Sequence, residues 1–182
     1  MSTVTVLTGS LGSGKTTVGR LLADGMRDGV HIETDLFYKF LSHPIPPHLP
    51  EADGQNQAAI AASCQAAKSL ALRGYNVVLE GILGPWFATL IQREFEPEVI
   101  DVRYVILRTT LEEAKSRVHQ RGDTTIDHVI AAMHPQLQNL GEWEVNVVES
   151  THMSAAEVAQ VVQSGLAQGR FSIRVATHAR GA

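Results

Sequence analysis

The 182-residue sequence holds one cysteine, Cys64, so no internal disulfide can form and nothing points to an oxidising compartment. It has no apolar run of the ~18 residues needed to span a bilayer. Its N-terminus lacks the basic-then-apolar layout of a secretory leader, so cytoplasmic residence is the expectation. Aromatic residues make up only 5%, no block of Lys or Arg occurs, net charge is −4 and the pI is near 6.0. Those shortages weigh against a basic, aromatic-lined nucleic-acid groove and against a polybasic membrane patch. The eight histidines are scattered, with no His-x-x-x-His pair and no cysteine partners, which weighs against structural zinc. Arginine is missing between Arg27 and Arg73, where only Lys39 and Lys68 are basic.

The most informative stretch present is Gly9-Ser-Leu-Gly-Ser-Gly-Lys-Thr16, which fits G-x-x-x-x-G-K-[ST]. It follows an alternating β-branched run, Thr3–Thr8, and opens a helix carrying Val18, Leu21 and Leu22. That context fits a strand delivering the chain to a turn whose glycines let backbone N–H groups curl around an anion, with a helix N-terminus behind it. Gly9, Ser10, Leu11, Gly12, Ser13, Gly14, Lys15, Thr16 and Thr17 are therefore the expected nucleoside-triphosphate-binding set. Within it Lys15 serves the β- and γ-phosphates and Thr16 ligates Mg²⁺.

Strands are expected at Thr3–Thr8, Val30–Thr34, Val77–Leu79, Asp101–Leu107 and Glu144–Val148, with a short extra one at Phe171–Val175 and fraying over 176–182. Helices are expected over 14–26, 53–73, 85–95, 110–122, 126–140 with an interruption near His134-Pro135, and 155–167; 36–41 reads as a helical turn. Four prolines between His43 and Pro50 forbid a regular helix or a central strand there. Alternating strands and helices over this length predict one α/β domain, 1–182, with a parallel sheet covered on both faces. In such sheets the ligand site lies beyond the carboxyl ends of the strands. Gly9–Thr16, Asp35, Glu80, Arg108 and Ser150–Ser154 occupy those positions.

Asp35 is placed to take the proton of an attacking hydroxyl, or alternatively to cap the turn that follows. Glu80, closing an apolar run, suits Mg²⁺ or its water shell, or is a solvated strand end; Glu33 and Asp35 are further Mg²⁺ candidates. Arg117 and Arg121 share a helix face and bring positive charge to a transferring phosphoryl group, unless Arg117 merely pairs with Glu113. Trp86 and Trp143 read as packing residues, and His43 and His48 are candidates to face an acceptor. The arginine-free stretch predicts an uncharged, hydroxyl-bearing acceptor, unless Arg93 or Arg108 enters from elsewhere.

The phosphate loop, Asp35, Val-Val-Leu-Glu80-Gly81 with Gly84-Pro-Trp-Phe87, and Leu107-Arg-Thr-Thr-Leu-Glu-Glu-Ala-Lys-Ser-Arg117 together resemble small bacterial P-loop kinases. That group includes gluconate-kinase-like, shikimate-kinase-like and chloramphenicol-phosphotransferase-like proteins. The resemblance reaches to about Val175. It implies a three-layer fold with five parallel strands ordered 2-3-1-4-5, ATP and Mg²⁺ as cofactors, and Asp35 as acceptor base. It also implies Arg117 and Arg121 in a lid within about 110–140, an acceptor side within about 36–56, and Ser150 and Thr151 bordering adenine. Departures are Leu36, where many relatives carry a second Asp, and Glu80, where Asp is usual. The arginines that hold a carboxylate acceptor in shikimate-type enzymes have no counterpart after strand two. The expectation is ATP-dependent transfer to a neutral small-molecule hydroxyl, an antibiotic being one class. A sugar- or gluconate-type kinase, a polynucleotide 5′-kinase and a nucleotide-dependent switch are the alternatives. The switch lacks its N-K-x-D and D-x-x-G elements.

Overall fold

Alternation within Thr3–Gly9 makes β1 the middle of the sheet, because Val4 and Val6 enter one core while Leu7 enters another. The computed structural model describes residues 2–96, 98 and 100–173. β2 (Gly29–Glu33), β3 (Asn76–Gly81), β4 (Asp101–Arg108) and β5 (Val147–Glu149) complete an all-parallel sheet in the order β2-β3-β1-β4-β5. This is the three-layer α/β order implied by the family resemblance. On one face α3 (Asp53–Ala71) and α4 (Ala88–Phe95) bury Ile60, Cys64, Ala67, Ile91 and Phe95 against Val4, Leu79, Tyr104 and Ile106. On the other, α1 (Lys15–Asp24) and α7 (Ala155–Ala167) bury Val18, Leu22, Val158 and Val162 against Leu7, Val78 and Val105. The remaining helices are α2 (Asp35–Tyr38), α5 (Leu111–His119) and α6 (Asp127–Met133). Ala114, Val118 and Ile130 of α5 and α6 form a small separate core on which Leu11 packs.

Two expected elements are corrected. The alternation Glu144–Val148 reads as a strand, but Gly141–Asn146 is a 3₁₀ turn and only Val147–Glu149 pairs with β4. Polar groups override the pattern: Glu144 accepts from Leu140 N–H (2.8 Å) and the Arg108 guanidinium. The Asn146 amide is buried on the Tyr104 carbonyl (2.7 Å), and Val145 is left exposed. The interruption expected near His134-Pro135 is where α6 ends, at Met133, but the chain beyond it is only a 3₁₀ turn, His134–Leu137, and not helix to 140, since Pro135 cannot donate to an α-helical ladder. Of the extra strand expected at Phe171–Val175, Ser172 makes one antiparallel bridge to Arg103. Arg174, Val175 and the stretch 176–182 lie outside the described residues.

Candidate active site

β1 hands the chain to the loop at Gly9, where a Cβ would lie 2.6 Å from the Leu107 carbonyl oxygen. Gly12 (φ 77°) and Gly14 (φ 90°) take left-handed conformations, and a side chain on Gly12 would strike the Ala114 backbone. Ser13 N–H closes back on Ser10 O at 3.2 Å, both residues being buried, while Thr17 faces solvent on the first turn of α1. Lys15, buried, and Thr16 begin α1. The free N–H groups of that turn and the lysine therefore stand at one helix N-terminus.

Beneath them the Thr16 hydroxyl donates to Glu80 Oε1 at 2.8 Å. Glu80 is buried, and its Oε2 has no partner among the described residues. Burial pushes the Glu80 carboxyl above the usual carboxylate range; Lys15 and the Thr16 hydroxyl pull it back, and Asp35 and Glu33 push it further. A hydroxyl, neighbouring carboxylates and one orphaned buried oxygen make an oxygen donor set that fits Mg²⁺. His31 and Glu33 stand beside Glu80, with ligand atoms within 4.8 Å of one another. Glu33 Oε1 is, however, already held by Arg20 at 2.9 Å, a pairing the sequence did not announce.

Asp35 opens α2 directly after β2 and is exposed; its carboxylate accepts no hydrogen bond among the described residues. Its charge is felt at Glu80 and at Tyr38, whose phenol is pushed up to about 12 by burial first and by Asp35 second. Tyr38 was missed in the sequence, although its position one turn after Asp35 was a usable signal. Thr34 donates its N–H to the Glu80 carbonyl (2.8 Å), and a Cβ on Gly81 would meet the Thr34 side chain at 2.9 Å. The ends of β2 and β3 are thus pressed together behind Asp35.

Arg117 is fastened into the wall of the site instead of riding on an open lid. Its Nε donates to Glu113 (2.9 Å), and a terminal nitrogen donates to the carbonyls of Ser150 (2.9 Å) and Met153 (3.3 Å). The other terminal nitrogen lies 3.9 Å from where a Gly14 Cβ would be. Arg117 therefore pairs with Glu113, as the alternative reading has it, and its other terminal nitrogen lies near Gly14 of the loop. Arg121, past the end of α5, is exposed, and its side chain makes no hydrogen bond or ion pair among the described residues; its N–H closes back on the Val118 carbonyl (3.0 Å).

Ser150 follows β5 behind the phosphate loop. It has no exposed surface, and its hydroxyl donates to the Arg108 (3.1 Å) and Ser13 (3.4 Å) carbonyls, which braces the loop from behind. Thr151 is partly exposed and accepts from Thr110 N–H (3.1 Å), and Thr110, not Thr109, caps α5. Arg108 is closed off by Glu149 (2.6 Å) and bidentate contact with Glu144 (2.8 and 2.9 Å). It lines a cleft of about 610 Å³ with Thr110, His134 and Gln138, which takes no residue from the phosphate loop or α2. Arg93 is largely exposed beside Glu94. Trp143 packs edge-on against Tyr104 as expected, whereas Trp86 is not a packed core residue but half-exposed. His43 and His48 are exposed in the proline-rich segment.

Among the described residues no helix is long and apolar enough to cross a membrane. No curated protein sequence matches the chain. Several solved structures share its fold. The sugar kinase from Janibacter sp. HTCC2649 is 19% identical over 92% of this chain and 95% of its own, with a TM-score of 0.69. A gluconokinase from Sinorhizobium meliloti 1021 is 22% identical over 92% of each chain, TM-score 0.67. The Deinococcus radiodurans tunicamycin resistance protein is 14% identical over 91% of this chain and 96% of its own, TM-score 0.68. At these identities the likeness is one of fold, that of the P-loop kinases. The family model described as AAA domain matches residues 6–132, which includes the phosphate loop, Asp35, Glu80 and Arg117, and the chain belongs to that nucleotide-binding P-loop family.

Proposed function

We propose that the chain is an ATP-dependent phosphotransferase that moves the γ-phosphoryl group to a hydroxyl of an uncharged small molecule. One observation carries this reading. Lys15 and the Thr16–Glu80 pair sit at the phosphate-binding helix terminus, while Asp35, unbonded, stands at the end of the adjoining strand pair. In the proposed reaction Asp35 accepts the acceptor's hydroxyl proton as the oxygen attacks the γ-phosphorus in line. The new O–P bond forms, the bond to the β-phosphate oxygen breaks, and ADP leaves. Lys15 and Arg117 balance charge on the phosphates, and Arg121 adds to it if the 110–140 region closes. Thr16 and Glu80, with Asp35, would hold Mg²⁺, which supplies charge neutralisation between the phosphates when bound. Thr151 borders the nucleotide and Ser150 supports it from behind. ATP as donor places the work in the cytoplasm.

The neutral acceptor follows from where the cations go. Lys68 donates to the carbonyls of Glu94 (3.2 Å) and Glu96 (3.0 Å), and Arg108 is held by two carboxylates. Between Arg27 and Arg73 only Lys39 remains to meet an anionic acceptor. An antibiotic hydroxyl is one such target. A sugar- or gluconate-type kinase is the second reading, favoured by two structural relatives, a sugar kinase and a gluconokinase. An ATP-to-ADP assay over aminoglycosides, chloramphenicol, nucleoside antibiotics, gluconate and simple sugars tests the proposal. ADP release accelerated by at least one neutral acceptor is expected. Release no faster than hydrolysis with every acceptor, or strong saturable phosphorylation of AMP, CMP or a nucleic-acid 5′-end, would sink it.

A further inference from the structure

Large apolar side chains are unevenly exposed. Among the described residues, Leu21, Leu72, Tyr75, Val145 and Val161 are exposed at scattered places, whereas Leu36, Phe40, Leu41, Ile45, Leu49 and Trp86 are exposed together on the two segments that leave β2 and β3. Phe40 is 79% exposed and meets Phe37 edge-on, ring centroids 5.8 Å apart. These residues are held out by a shaped backbone. Ile45 exchanges two hydrogen bonds with the Gln55 side chain (2.8 and 2.7 Å), and Asn56 donates to the Pro47 carbonyl (2.8 Å). The proline-rich strap is thereby tied to the first turns of α3, and its prolines limit its freedom further.

Trp86 is presented in the same way from the other side. Leu83 N–H is anchored to the Thr8 hydroxyl at 2.9 Å, and the Leu83 carbonyl is anchored to the Tyr104 hydroxyl, which fixes the chain above the ends of β1 and β4. Gly84 then lets the indole fold flat over its backbone, where a Cβ would collide with the ring. One indole face is covered in this way and the residue remains 49% exposed. The indole lies on the segment leaving β3, and Asp35 on the segment leaving its neighbour β2; exposed apolar area of this kind marks binding sites.

We infer that the acceptor presents its reactive hydroxyl on an aromatic or branched aliphatic body, with Trp86, Leu36 and Phe40 as the residues that select it. The inference rests on the phosphotransferase reading above. A polyol or sugar acid needs hydrogen-bonding walls and, for the acid, a cation. The strap exposes mostly apolar side chains, with the His43 and His48 rings among them, and Lys39 is its lone Lys or Arg. The Asp35 carboxylate serves the hydroxyl, and the apolar surface receives what carries it.

The test compares kcat/KM for phosphorylation of two probe sets, chloramphenicol and phenylpropanediols against glucose, gluconate and glycerol, in wild type, Trp86→Ala, Trp86→Phe and Phe40→Ser. The apolar-bodied set is expected to be preferred. Trp86→Ala should lower its kcat/KM by about 10–100-fold, mostly through KM, with Trp86→Phe recovering much of the loss. Iodide quenching in a Trp143→Phe background reads Trp86 alone, and a bound aromatic alcohol should shield it. Equal use of both sets, or a Trp86→Ala loss that is the same for all acceptors, would overturn the inference while leaving phosphotransfer standing. A chain that is dimeric by sedimentation, becomes monomeric on Phe40→Ser and shows no acceptor preference would assign the surface to a second copy instead. No acceptor-dependent turnover with either set would contradict this inference and the proposed function together.

Discussion

Replacing Glu80 by Gln separates what its carboxylate does for nucleotide chemistry from what it costs in folding. The residue is buried, one oxygen takes the Thr16 hydroxyl and the other has no partner among the described residues. Gln keeps an acceptor for Thr16 but carries no charge, and each unit by which burial raises a carboxyl's pKa is about 1.4 kcal/mol of cost to the folded state when it ionises. At about 2–4 °C per kcal/mol for a domain of this size, Glu80→Gln should raise Tm of the nucleotide-free protein by several degrees near neutral pH. The gain has a definite pH dependence. The folded pKa lies above the ordinary value of 4.5, so the folded state holds this proton more tightly than the unfolded chain. The stability this confers is complete below about pH 4.5 and is lost as pH rises through the raised folded pKa. Wild type and variant should therefore coincide near pH 4 and separate as pH rises. Thermal unfolding across that range, with and without Mg·ATP, is the assay. Mg²⁺ should add less stabilisation to the variant than to wild type. A Glu80→Gln protein destabilised at pH 7, or a pH-independent difference, would refute the picture of an unpaired carboxylate waiting for a cation.

Other consequences are equally specific. Arg117→Met removes contacts to Glu113, Ser150 and Met153 beside Gly14 and should weaken ATP binding about 10-fold or more by calorimetry, with little change in Tm. Gly12→Ala forces a side chain into the Ala114 backbone at φ 77° and should abolish nucleotide-induced stabilisation in a thermal-shift titration. Ser154→Ala breaks the capping box with Glu157 at the start of α7 and should cost about 1 kcal/mol in denaturant unfolding.

Much of the architecture was legible because its signals are local. The phosphate loop needs glycines where φ is positive, and Gly12 and Gly14 stand there; the helix expected over 155–167 is α7 to the residue. The sheet order came from family resemblance, since strand neighbours such as Glu33 and Glu80 are far apart in sequence. What local pattern could not show were long-range polar contacts. Glu144 and Asn146 turn an apparent strand into a 3₁₀ turn because Arg108 and Tyr104, on another strand, claim their side chains. The resemblance set Ser150 beside adenine, but no local pattern announced that its hydroxyl reaches the Arg108 carbonyl and that of Ser13, 137 residues away. Trp86 looked like core by residue type, and only the bare Gly84 beneath it explains why it stays at the surface.

The central claim, that Asp35 takes a hydroxyl proton during phosphoryl transfer, is tested most directly by the single-turnover rate of phosphorylated-acceptor formation in Asp35→Asn. Asn keeps the size and the start of α2 but cannot accept the proton, so a fall of about 10²–10⁴-fold is predicted. A variant that transfers phosphate at the wild-type rate would contradict the account.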